Sequence, residues 1–186
     1  MTATQRKAAL LGEADLPTEW RELPPRAERG ALPVDDPVCQ PLASLLGDVL
    51  WGPDADVGKR FRHGAGEAHV STRVVAYPGS AAQDHVDRLS GALDGCPSFT
   101  TSLQGVTMNV RASRLLMPRF GTDSETFRLS AGREGGRLHL QSDVLVLRRG
   151  AEVLSFQYSP TDLSDHEGFD PLARLAKDKF VKATRG

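Results

Sequence analysis

Charged and amide side chains recur at alternate positions in several segments that have the composition of β-strands. In the segment 67–77, for example, His69 and Arg73 alternate with Val70 and Val74. Alternate residues of a strand share one face of a sheet, so these side chains are expected to form one polar surface. Such a surface would bind a polar or anionic small molecule through charge-assisted hydrogen bonds. The candidate ligand-binding residues are His69, Arg73, Asn109, Arg111, Arg128, His139, Gln141 and Asp143.

The same polar surface has a simpler interpretation, as the solvated side of an antiparallel sheet whose other side is buried. The alternative is that sheet curvature turns it into the floor of a cleft. Direct acid–base catalysis has little support, because His139 and Asp143 are four positions apart on one strand, about 13 Å at extended spacing. No catalytic residue is therefore assigned.

Hydrophobic periodicity and turn-forming residues predict the helices and strands that would position these side chains. Helices are predicted at 5–11, 36–48, 81–94 and 170–184, and strands at 67–77, 106–116, 125–131, 137–147 and 152–158. Gly95 would close the third helix in the left-handed conformation, and Gly150 would supply a positive φ in a hairpin. These elements predict an α+β fold: a twisted antiparallel sheet of about five to six strands, with helices on one face and a polar cleft on the other.

Bulk composition narrows the classes of function. The length of 186 residues predicts a single domain over 1–186, and the 39% hydrophobic content is ordinary for a globular protein. The net charge of -1 predicts no electrostatic attraction to nucleic acid or to an anionic membrane, and it leaves local basic patches open. Residues 1–8 are expected to be a flexible extension. No apolar run is long enough to span a membrane. The five histidines are dispersed without metal-ligand spacing, and no phosphate loop or catalytic motif occurs, so no metal or cofactor is predicted.

The two cysteines, Cys39 and Cys96, each lie in a predicted helical segment. An even number of cysteines suggests a disulfide, whereas two buried thiols acting as small hydrophobic groups would also fit. Catalytic and metal-binding roles lack support, because no activating base can be assigned and CxxC spacing is absent.

Three sequence segments, which follow one another along the chain, resemble those of a known family. They are Leu10-Leu-Gly-Glu-Ala-Asp-Leu-Pro-Thr-Glu-Trp20, Gly-Thr-Asp-Ser-Glu-Thr-Phe-Arg128 and Asp143-Val-Leu-Val-Leu-Arg-Arg-Gly150. With the two cysteine-bearing helices, they resemble the extracellular sensor domain of actinobacterial serine/threonine kinases of the PknH type and related lipoproteins. The resemblance covers residues 9–183. It implies a twisted antiparallel sheet with helices on one side, a polar cleft for an unidentified ligand and a Cys39–Cys96 disulfide, and it does not imply catalysis. A second cysteine pair of some members is missing here.

The expected function is therefore a non-enzymatic, sensor-type domain that binds a small molecule. The main alternative is a small enzyme of secondary metabolism, of cyclase or isomerase type, that uses the same cleft without a recognisable motif. A third is a structural or partner-binding module that uses an exposed edge of the sheet. A disulfide favours an extracellular or cell-envelope location with a leader absent from this chain, whereas the start at Met1 would suit a cytoplasmic protein. The oligomeric state and the identity of the ligand stay open.

Overall fold

A computed structural model describes residues 1–25, 32–46, 54–64, 68–103, 105–116, 120–121, 123–133, 136, 138–160, 162 and 168–185. Within these ranges the chain forms one antiparallel sheet of eight strands and four α-helices. The strands are β1 Trp20–Glu22, β2 Ala55–His63, β3 His69–Ala76, β4 Ser98–Leu103, β5 Val106–Arg114, β6 Ser124–Arg133, β7 Leu138–Arg149 and β8 Glu152–Ser159. The helices are α1 Ala3–Ala9, α2 Gln40–Leu46, α3 Ala81–Gly95 and α4 Phe169–Ala183.

The strand order across the sheet is β1-β2-β3-β8-β7-β6-β5-β4. Strands β4 to β8 follow one another as a meander, and β8 then pairs with β3 at the centre of the sheet. Helix α3 makes the connection from β3 to β4 at the far edge. As predicted, Gly150 has a positive φ of 61° in the turn between β7 and β8.

Helices cover both faces of the sheet, which corrects the expectation of helices on one face only. On the α3 face, Val144 and Val153 pack in a core with residues of α2 and α3. On the α4 face, Leu145 and Leu154 pack in a second core with residues of α1 and α4. Strands β7 and β8 therefore bury both of their sides over much of their length, and in β7 the uninterrupted apolar run 144–147 is typical of a strand that is covered on both faces.

The sheet has more strands than the five to six expected, because β1, β2 and β4 carry weak sequence signals. Strand β2 is rich in charged residues and buries Phe61 as its one fully covered side chain. Strand β1 has three residues, and β4 consists largely of serine and threonine. Strands near the edges of a sheet need few apolar residues, so hydrophobic periodicity alone does not identify them.

The predicted disulfide joins Cys39 to Cys96, with 5.5 Å between their Cα atoms. It ties the segment that leads into α2 to the C-terminus of α3. Gly95 is not in the left-handed conformation that the sequence suggested. Glycine instead allows the backbone at position 95 to lie close to Val38, because a Cβ atom there would be 3.1 Å from Val38 Cγ1.

The first residues of the chain, expected to be a flexible extension, include helix α1. Thr2 caps this helix by accepting a hydrogen bond from the Gln5 amide. The helix packs against α4, and Arg6 donates a 3.0 Å hydrogen bond to Glu152 at the start of β8. Ala9 at its end is fully buried in the α4-face core.

Candidate functional site

Among the described elements, helices α1 and α4 make their main contacts with only part of the α4 face. Helix α4 contacts β7 and β8, and α1 contacts β2 and β3, so strands β4, β5 and β6 extend beyond the main helix contacts. The side chains on this part of the α4 face, together with the first half of the adjoining strand β7, are polar almost throughout. We call this surface the polar floor: Ser98, Thr100, Asn109, Arg111, Ser113, Arg128, Ser130, Gln141 and Asp143.

One straight row of four residues crosses the polar floor. Ser98 of β4 pairs with Arg111 of β5, Arg111 pairs with Ser130 of β6, and Ser130 pairs with Gln141 of β7. Paired residues of antiparallel strands place their Cβ atoms about 4.5–5.5 Å apart on the same face. The row therefore combines two hydroxyls, a guanidinium and an amide in one line of hydrogen-bond donors.

Burial increases along this row, from the edge of the sheet towards its centre. Ser98 and Arg111 are exposed and Ser130 is half-buried, whereas Gln141 retains 3% of its exposure. The Nε2 atom of Gln141 is buried and finds no hydrogen-bond partner in the described part of the chain. An unsatisfied buried amide costs about 1–3 kcal/mol, so Gln141 is a polar group whose burial the described contacts do not compensate.

Arg111 is the uncompensated charge of the polar floor. Within the described ranges no carboxylate contacts its guanidinium. Arg114, on the same strand but on the opposite face, is instead paired with both Asp94 and Glu125. The row therefore carries a local positive charge, which favours an anionic group.

A second row beside the first contains a compensated pair. Arg128 donates from Nε and from a terminal nitrogen to the two carboxylate oxygens of Asp143, at 2.6 and 2.7 Å. Asp143 is 1% exposed. The hydrogen bond to Asp143 raises the pKa of Arg128 above its ordinary value, against the opposing effect of burial. This bidentate pair fixes the orientation of both side chains and forms a neutral part of the polar floor next to the Arg111 row.

The structure brings together five of the eight residues predicted for the site. Asn109, Arg111, Arg128, Gln141 and Asp143 all lie on the polar floor. Asn109 Oδ1 accepts a 3.1 Å hydrogen bond from the Thr100 hydroxyl.

His69 and Arg73 lie on the opposite, α3 face, which divides the predicted surface in two. The strand register explains the division. Asp143 pairs with Tyr158, and Tyr158 pairs with Val70, so Asp143 and Val70 lie on the same face. The odd-numbered residues of β3, which alternate with Val70, therefore lie on the other face. Arg73 forms an ion pair with Asp56 on that other face. The backbone of His139 lies in β7, beside the register shift at Gly132, and its side chain is outside the described part of the structure.

Two further residues of the polar floor, Ser98 and Ser130, are not among those predicted from the sequence. Ser130 has the same strand parity as Arg128, so alternation within β6 contained the signal. Ser98 lies in β4, a strand that was not predicted, and only the pairing of β4 with β5 places its hydroxyl beside Arg111.

Neither a metal cluster nor a membrane span is found in the part of the chain that the structure describes. No group of three or more His, Cys, Asp or Glu residues there lies close enough to hold a metal ion. Among the described helices, none is both long and apolar enough to cross a bilayer.

Comparison with known proteins gives the fold a precedent. The structure is similar to the crystal structure of the extracellular domain of PknH from Mycobacterium tuberculosis, with a TM-score of 0.72 and 15% sequence identity. The match covers 100% of this chain and 98% of that domain. No family profile matches the sequence, and no curated protein matches it. The chain therefore has the fold of the PknH extracellular domain, as the resemblance of its sequence segments predicted.

Proposed function

We propose that this protein is a sensor-type domain that binds a small molecule carrying a carboxylate or phosphate group on its polar floor. The observation that carries the proposal is the combination of an uncompensated guanidinium and an unpartnered amide in one row. Arg111 supplies the charge, Gln141 supplies a buried donor, and the hydroxyls of Ser98 and Ser130 lie beside Arg111.

The chemistry of the row suits an acceptor-rich ligand. A guanidinium binds a carboxylate or phosphate in a bidentate manner, and hydrogen bonds to charged groups are about twice as strong as neutral ones. The buried end at Gln141 would take a second acceptor of the ligand, such as a carbonyl oxygen. Because the Arg128–Asp143 pair is already satisfied, its contribution would be to shape the site rather than to bind the charge.

Location outside the cytoplasm is part of the proposal. A structural disulfide persists in oxidising compartments and is rare in the cytosol. Cys39 and Cys96 form such a bond, and the structural neighbour is an extracellular domain. Both observations support an extracellular or cell-envelope domain.

The direct test is native mass spectrometry of the purified protein, followed by calorimetric titration with any co-purified small molecule. Arg111→Ala should weaken binding by tenfold or more, since a charge-assisted hydrogen bond contributes about 1.5–3 kcal/mol. Arg133→Ala is the matched control, because Arg133 is an exposed arginine of β6 that pairs with Met108 on the α3 side. Equal affinities for wild type and Arg111→Ala would refute the assignment of the site.

A further inference from the structure

A second concentration of positive charge lies on the α3 face, at the opposite end of the sheet from the polar floor. Arg21 of β1 pairs directly with Arg62 of β2, so the two side chains share this face. Arg60 has the same parity as Arg62 and lies about 7 Å from it along the strand. We call Arg21, Arg60 and Arg62 the basic triad.

The basic triad has no counter-charge in the ranges that the structure describes. Two neighbouring cations are compensated there: Lys59 of β2 pairs with Glu22 of β1, and Arg73 of the next strand, β3, pairs with Asp56 of β2. Like charges directly opposite each other destabilise a strand pair. The Arg21–Arg62 pair therefore has a cost to folding that an anion would relieve.

Two of the three guanidiniums are held in place by neutral acceptors. Arg21 donates a 2.9 Å hydrogen bond to the Trp20 carbonyl, and Arg60 donates a 3.1 Å hydrogen bond to the Pro24 carbonyl. Each contact uses one nitrogen and leaves the charge and the remaining N–H donors available. Arg62 is exposed. Fixed orientation with intact charge is the arrangement that a preorganised anion site needs.

We propose that the basic triad binds a phosphate group. Guanidinium groups match the oxygen geometry of phosphate, and several of them on one surface can share the oxygens of a single group. Two sources carry this chemistry, the headgroup of an anionic phospholipid and a soluble phosphate. The site lies on the opposite face from the polar floor, so it does not depend on the function proposed above.

The experiment has two arms and uses the whole chain. The first measures co-sedimentation with vesicles of phosphatidylglycerol and phosphatidylcholine, compared with vesicles of phosphatidylcholine alone. The second measures calorimetric binding of inorganic pyrophosphate. Both are run on wild type, on the double variant Arg21→Ser and Arg62→Ser, and on a control that removes the same charge elsewhere, Arg133→Ser and Arg185→Ser.

If the source is a lipid headgroup, wild type sediments with the anionic vesicles only, and the triad variant partitions about 25-fold more weakly, at roughly fivefold per residue. If the source is soluble, pyrophosphate binds to wild type and to the control but not to the triad variant. Thermal unfolding verifies that the triad variant is folded, which the removal of like charges favours. Absence of binding in both arms, or equal losses in triad variant and control, would overturn the proposal.

Discussion

Tyr77 and His85 stack between the end of β3 and helix α3, with 5.2 Å between ring centroids and 25° between ring planes. Both side chains are buried, and neither the Tyr77 hydroxyl nor His85 Nε2 has a hydrogen-bond partner in the described structure. Burial lowers the pKa of His85 to about 4, with a further contribution from Arg88. Burial also raises the pKa of Tyr77 to about 12.

The first prediction concerns stability at acidic pH. The folded pKa of His85 lies below its ordinary value of 6.5, so the unfolded chain takes up the proton first as the pH falls. The stabilisation from neutral His85 is complete above pH 6.5 and is lost progressively down to about pH 4. The total loss is roughly 3 kcal/mol. Urea unfolding at a series of pH values measures it.

His85→Phe keeps an aromatic ring in the stack and removes the titrating group. The free energy of unfolding of this variant should therefore decline less between neutral and acidic pH than that of wild type. Identical pH profiles for the two proteins would show that His85 is not the group responsible.

The second prediction concerns the Arg128–Asp143 pair. Arg128→Ala leaves the carboxylate of Asp143 buried without its cation, and breaking a buried pair in this way costs about 3–5 kcal/mol. The half-exposed position of Arg128 favours the lower end of that range. The double variant Arg128→Leu and Asp143→Leu should recover part of the loss, as measured by urea unfolding. A double variant less stable than Arg128→Ala would contradict this account.

The third prediction concerns the disulfide. Reduction, or the double variant Cys39→Ser and Cys96→Ser, should lower the free energy of unfolding by about 4 kcal/mol, because the bond closes a long loop. The separation of the two residues in the chain is 57. Alkylation of the unfolded, unreduced protein should leave its intact mass unchanged. A mass increase corresponding to two alkylated thiols would contradict the bond.

The fourth prediction compares two glycines. A Cβ at Gly168 would lie 2.5 Å from the Tyr158 hydroxyl oxygen, whereas a Cβ at Gly91 would meet nothing within 4 Å. Gly168→Ala should destabilise the protein by about 1–3 kcal/mol, because Tyr158 must shift within a packed core. Gly91→Ala, inside helix α3, should stabilise it by about 0.5–1 kcal/mol. Melting temperatures that move in the same direction would refute the comparison.

Local sequence patterns correctly predicted helices, strands and a turn whose signals lie within a few neighbouring residues. The amphipathic spacing in α3 and α4, the glycine turn at Gly150 and the alternation within β5 to β8 all correspond to observed elements. The resemblance supplied the pairing of Cys39 with Cys96.

The division of the polar residues between two faces was not predictable from these patterns. Alternation shows which residues of one strand share a face, but it does not relate one strand to the next. The position of Arg73 opposite to Asp143 depends on the β3–β8 and β8–β7 registers, which join residues far apart in the sequence. The position of Ser98 on the polar floor likewise depends on a register, that of β4 with β5.

The most direct test of the polar floor is an NMR titration of the labelled protein with acetate and with inorganic phosphate at millimolar concentrations. The probes are the Nε–H resonance of Arg111 and the side-chain amide resonances of Gln141. The account predicts saturable shifts of both side chains with at least one anion, abolished in Arg111→Ala and retained in Arg133→Ala. Resonances that stay in place with both anions, or shift equally in Arg111→Ala, would contradict an anion site on the polar floor.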